Sequence, residues 1–97
     1  MKIEVDEDHG YVYARLTKRL KAFVNFDVVE KDDDKVLRIL KTYTPEEFRN
    51  RRIASALMEY TIAYAKEMGF KIIPLCSFAE WYFKEHKERA DVLYEKG

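Results

Sequence analysis

The sequence predicts an α+β fold: a central mixed, mostly antiparallel sheet with helices packed on it, an α/β sandwich. Three observations carry this. Strand-like runs fill the first 43 residues, a helix-length amphipathic stretch ends at Met68, and the short apolar run Ile72-Ile73-Pro74-Leu75 follows before a last helical segment. The 97 residues make one domain, 1–97, and a chain of this size buries about 65% of its unfolded surface, enough for one core.

Met1 to Gly10 reads as a short strand closed by the polar turn Glu7-Asp8-His9-Gly10. Tyr11-Val12-Tyr13-Ala14-Arg15-Leu16 alternates and is rich in β-branched and aromatic residues, which fits a strand, and Lys18-Arg19-Leu20-Lys21 is the next turn. In residues 22–29 the period of two puts Ala22, Val24, Phe26 and Val28 on one face, all apolar, so that face is assigned to the core. Lys31-Asp32-Asp33-Asp34-Lys35 is a solvated hairpin loop, lacking the glycine and later glutamate of a calcium loop. Residues 36–43 return as a strand, so 1–43 form an antiparallel meander.

The 18 basic and 18 acidic side chains cancel, so no global field draws the chain to nucleic acid or to an anionic membrane, and electrostatic recognition has to be local. A single cysteine excludes an internal disulfide, no charged-then-apolar leader opens the sequence, and no apolar stretch reaches the ~20 residues of a membrane span. These features point to the reducing cytoplasm. The aromatic-rich C-terminal part is compatible with a homodimer.

The local charge sits in Arg49-Asn50-Arg51-Arg52. Before it, Thr44-Pro45-Glu46-Glu47 has the order of a capping box, with proline at the first helical position. Two readings follow. With no glycine to interrupt it, one helix runs from Pro45 to Met68, the reading that pattern favours slightly, and the arginines form a solvated face. Alternatively the chain loops through residues 49–52 and a new helix opens near Ile53, its free N–H groups aimed at an anion. Leu57, Met58, Ile62, Ala63, Ala65 and Met68 make this helix largely buried, and Gly69 caps its end. The buried strand 72–75 then delivers Cys76 to a helix that Ser77 can cap, with Phe78, Trp81, Tyr82 and Leu93 as core or rim residues.

The order of meander, arginine turn, helix, strand and helix resembles the minimal one-domain branch of the Gcn5-related N-acetyltransferase superfamily. In that branch the turn reads Pro-x-x-x-Arg-Gly-x-Gly-Ile-Ala-Ser-x-Leu, and Pro45, Arg49, Ile53, Ala54, Ser55 and Leu57 stand in the corresponding places. Asn50 and Arg52 replace its two glycines; Asn accommodates left-handed backbone fairly well and Arg poorly. Downstream the branch carries Pro-Leu-Cys-x-Phe with a later Tyr and His, matched by Pro74, Leu75, Cys76, Phe78, Tyr82 and His86. The two segments cover about half of the chain.

The resemblance implies acetyl-coenzyme A as cofactor and an amine, small molecule or protein, as acceptor. It places the pyrophosphate on Arg49, Asn50, Arg51, Arg52, Ile53, Ala54 and Ser55, and the pantetheine arm along Thr42, Tyr43 and Thr44 at a splay in the sheet. A diphosphate at a helix N-terminus meets several donors and the positive end of the macrodipole together. The thioester then lies between Tyr43 and Cys76. Either the amine attacks directly, or Cys76 accepts the acetyl group first or protonates the leaving thiolate; a packed, inert thiol is the competing reading. About ten residues of helix separate Cys76 from His86, roughly 15 Å, too far for a dyad without a bend. A non-catalytic module that keeps the fold to bind coenzyme A or a protein is the alternative from another class. His9 is a turn residue.

Overall fold

The computed structural model describes residues 1–95. Five strands lie in sequence order across one sheet: β1 (Ile3–Asp6), β2 (Tyr11–Arg15), β3 (Lys21–Lys31), β4 (Asp34–Tyr43) and β5 (Lys71–Pro74). The first four pair antiparallel, and β5 joins β4 in parallel across the helix α1 (Ile53–Met68). Helix α2 (Ser77–Glu85) and a 3-10 segment (Lys87–Val92) complete the described chain. This is the mixed α+β sandwich that the strand and helix periods predict.

Alternation on β2 and β3 sends Val12, Ala14, Ala22, Val24 and Phe26 to one face, where Leu57, Met58, Ile62 and Ala65 of α1 cover them. Thr61, fully buried among these, satisfies its hydroxyl on the Leu57 carbonyl at 2.8 Å. Among the described residues the opposite face carries no helix residue in the core and stays open. Asp32 and Asp33 turn the β3–β4 hairpin in two residues, both at positive φ, a conformation in which their short polar side chains are among the better tolerated.

Several expected core positions lie outside the core. Val28 is 40% exposed because the hairpin runs out toward its turn, past the helices. Ala63 and Met68 face solvent, since α1 buries a narrower stripe than its composition suggests. Leu75, expected in a buried strand, is 51% exposed and lies one residue past the last register pair of β4 and β5, Ile39 with Pro74. The missing N–H of Pro74 costs no β4 bond: Leu75 N–H donates to Ile39 C=O at 2.9 Å, while Ile72 C=O, an even position like Pro74, faces the outer edge and accepts from Tyr94 N–H.

The unbroken helix from Pro45 to Met68 is not present. Only a 3-10 turn, Glu46–Phe48, forms after Pro45, without a side-chain cap bond, so the capping-box expectation also fails. The chain leaves that turn at Arg49 in extended backbone, passes through left-handed Asn50 (φ 67°) and Arg52 (φ 60°), and starts α1 at Ile53. Cys76, not Ser77, is the N-cap of α2.

Candidate functional site

The site begins with a bulge. Asn25 opposes Lys41 and Phe26 opposes Ile39, so Leu40 is an extra residue on β4, and the parity of its side chains changes there. Leu37 and Ile39 face the helices before it; after it Thr42 opposes buried Val24 and faces them, while Lys41 and Tyr43 face the open side with Asn25 and Phe23. Phe26 N–H is given to Gly10 on the β2 side, so by alternation Asn25 and Phe23 bond β4 through Lys41 and Tyr43. That leaves Thr42 N–H and C=O turned away from β3. On that side β5 has already stopped at Pro74. A gap therefore opens between β4 and the chain leaving β5, with Thr42 on one bank.

Cys76 stands on the other bank. Its Sγ lies 3.4 Å from Thr42 Oγ1, and the thiol is free and half-buried at the N-cap of α2. Thr42 and Cys76 are thus brought together, whereas Tyr43 sends its ring to the opposite face, 5.5 Å from Phe23.

Beyond Tyr43 the chain forms an anion-receptive turn. Arg49 Nε donates to Thr44 C=O at 3.2 Å, tying the turn to the strand end. The first in-helix donor is Ala56, whose N–H reaches Arg52 C=O at 3.1 Å. The N–H groups of Ile53, Ala54 and Ser55 have no acceptor among the described residues, as the geometry of a helix start requires. They open on a cleft of about 360 Å³ whose lining includes Arg49, Asn50 and Arg52, with Phe78 and Trp81 of α2 as a further wall. Thr44 also lines it, and its Oγ1 is buried without a hydrogen-bond partner among the described residues. An orphaned hydroxyl costs free energy unless a ligand or water meets it. Arg51 is placed differently, its guanidinium 5.1 Å from the centre of the Phe48 ring.

Left-handed backbone at a non-glycine costs about 1–2 kcal/mol, and Arg52 accepts this with no side-chain cap bond to offset it. Arg52→Gly is therefore expected to stabilise the chain by about 0.5–1 kcal/mol, once the larger unfolded-state entropy of glycine is set against the relief. Urea unfolding of both chains measures this. A loss of stability would show that the Arg52 side chain makes a compensating contact.

His86 and Tyr82 have other partners. The imidazole stacks on the Tyr82 ring at 4.0 Å with Nδ1 2.9 Å from the Tyr82 carbonyl. Tyr82 O–H donates to Glu59, which Arg89 grips through Nε and Nη2 at 3.0 and 2.7 Å. Burial, then the bond to Glu59, push the Tyr82 phenol far above its usual range, so it stays protonated and committed. Arg89 first, with help from Tyr82, holds Glu59 below the usual carboxylate range. This network ties α1, α2 and the 3-10 segment together.

A family model described as GCN5-related N-acetyl-transferase matches residues 11–92. The chain belongs to the GCN5-related N-acetyltransferase family. Membership carries an acetyltransferase-like, acyl-coenzyme A-binding function in general terms. None of the curated proteins compared with the chain matches it. In this turn Asn50 and Arg52 both adopt left-handed backbone, the conformation that glycine takes most readily. Phe78 and Trp81, which the sequence suggests are core or rim residues, form a wall of the cleft. Their spacing of three on the helix after Cys76 is the signal that they share one wall.

Proposed function

We propose that this chain is an N-acetyltransferase which takes acetyl-coenzyme A on the turn 49–55 and passes the acetyl group to an amine. The observation that carries the reading is the cleft: three free helix N–H groups, an orphaned Thr44 hydroxyl and the Arg49 and Arg52 side chains converge on one opening. Those donors suit a diphosphate, being oriented, cationic and set at the positive end of a 16-residue helix. Acetyl-coenzyme A supplies an activated thioester carbonyl. Thr42 N–H, without an acceptor among the described residues on its bank of the gap, is the strand donor that suits an oxygen gaining negative charge. Cys76, beside Thr42, brings its Sγ within reach of the same gap.

Trp81, the only tryptophan in the chain, reports on the cleft because it is half exposed on its wall. Coenzyme A should change its fluorescence saturably, with an affinity that falls as salt is raised. Ala54→Pro removes one of the three N–H groups at a first-turn position where proline is tolerated, and should weaken binding by about tenfold or more, ~1.4 kcal/mol, with helicity kept. Equal affinity in that variant, with the fold intact, would remove the turn as the phosphate site. Coenzyme A binding without acetyl transfer to any amine would leave a binding module.

A further inference from the structure

The open face of the sheet holds a second concavity, of about 550 Å³. Tyr11, Tyr13 and Phe23 form its floor with Tyr43, whose strand borders the gap; Tyr11 meets Phe23 edge-on at 5.1 Å, and Phe23 lies 5.5 Å from Tyr43. Arg15, Lys18, Arg19 and Lys21 line it as well. These four cations have no ion-pair partner among the described residues, unlike Arg38, paired to Asp27, and Arg89, paired to Glu59. The one carboxylate in the lining, Asp6, is already engaged by His9, 2.9 Å away. Arg15 and Lys21 stand directly opposite each other across β2 and β3, a like-charge pair that works against sheet stability.

The loop bearing Lys18 and Arg19 is ordered. Thr17 Oγ1 accepts from the N–H groups of Arg19 and Leu20 at 3.2 and 3.1 Å, and Leu16 N–H donates to Leu20 C=O at 2.8 Å. A chain with no net charge thus gathers four cations against one carboxylate around an aromatic floor, with Lys21 Nζ 5.1 Å from the centre of the Tyr13 ring, in a volume that lies in the range of small-ligand pockets, ~300–1,000 Å³.

We infer that this face holds the acceptor amine, and that the acceptor is a small molecule carrying an aromatic ring and a carboxylate or phosphate. The ring lies on the Tyr and Phe floor, and the anion meets the cations of strands β2 and β3 and their loop. Tyr43 puts this floor beside the gap whose other face carries Thr42 and Cys76. The inference rests on the acyl-transfer reading for the word acceptor, and on the open face alone for the chemistry of the ligand.

The test uses the full chain and three amines: para-(aminomethyl)benzoate with ring and anion, benzylamine with the ring only, and ε-aminocaproate with the anion only. Calorimetry is expected to show para-(aminomethyl)benzoate binding about tenfold or more tighter than either of the others. In the Arg15→Gln, Arg19→Gln double variant, two exposed changes, its affinity should fall to that of benzylamine. With acetyl-coenzyme A present its KM should rise by the same factor while kcat holds. Equal or undetectable binding of all three overturns the site, whatever the turnover. Selective binding without acetyl transfer keeps the anionic ring site and removes its role as the acceptor site.

Discussion

Gly10→Ala is expected to cost about 3 kcal/mol or more of stability, enough to unfold a large share of a marginal domain. Gly10 has φ +74°, and a Cβ built on it falls 2.0 Å from the carbonyl oxygen of Phe26. The clashing atom is backbone in the middle of β3, so no side chain can swing aside. The same glycine accepts two hydrogen bonds at its carbonyl, from Phe26 N–H at 2.8 Å and from Asn25 Nδ2 at 2.9 Å, and moving it breaks both. Asn25 is the residue opposite the β4 bulge, so the damage reaches the frame of the gap. Gly69 provides the control: its φ is +76°, but an added Cβ meets nothing within 4 Å, so Gly69→Ala should cost only the left-handed strain, about 1–2 kcal/mol. Thermal or urea unfolding of the two variants reads the difference. Equal losses would show that the approach of Gly10 to Phe26 relaxes without penalty.

The meander, the hairpin and the strand before Cys76 are legible in the sequence because each is a local pattern: a period of two, a polar punctuation, an apolar run. What pairing and packing decide is harder to read. The bulge at Leu40 shows only as a change of spacing, from Leu37 and Ile39 two apart to Thr42 three further on, and nothing local says that this matters. The break at residues 49–52 contradicts the simplest reading, because neither Asn50 nor Arg52 announces left-handed backbone as glycine would. Half-buried Phe48 before the break and buried Ile53 after it hold both sides in place, so tertiary packing selects a conformation that local propensity resists.

The same limit applies to the open face. Tyr11, Tyr13, Phe23 and Tyr43 are strand residues with high β-propensity; alternation with buried neighbours places the first three on one face, and the bulge at Leu40 brings Tyr43 to join them. Whether a helix covers that face depends on the whole architecture. Only with α1 and α2 placed does the unpaired charge of Arg15, Lys18, Arg19 and Lys21 become a feature of a cavity instead of a solvated turn.

Cys76→Ser is expected to leave coenzyme A affinity within about twofold and to lower turnover about a hundredfold, ~2.7 kcal/mol, the usual weight of one positioned acid or nucleophile. Affinity should hold because the N–H groups proposed to hold the phosphates, those of Ile53, Ala54 and Ser55, lie on another element. Turnover should fall because the thiol occupies the N-cap of α2, half-buried and 3.4 Å from Thr42 Oγ1, on the bank of the gap opposite the free Thr42 N–H. Serine keeps the size and the hydrogen bond, and loses the softer nucleophile and the more acidic proton. Cys76→Ala separates chemistry from packing: it deletes a group that touches the core, so some stability goes with it, and turnover at saturating substrate is the discriminating number. Unchanged turnover in both variants would assign the thiol to packing and leave direct attack by the amine as the route. Mass spectrometry of the native chain with acetyl-coenzyme A and no acceptor then divides the remaining roles. An acetyl group on Cys76 that an added amine removes makes the thiol the nucleophile: its sulfur takes the acetyl group as coenzyme A leaves, and the amine nitrogen then displaces that sulfur. A hundredfold loss in the serine variant with no adduct on the native chain makes Cys76 the proton donor to the departing thiolate.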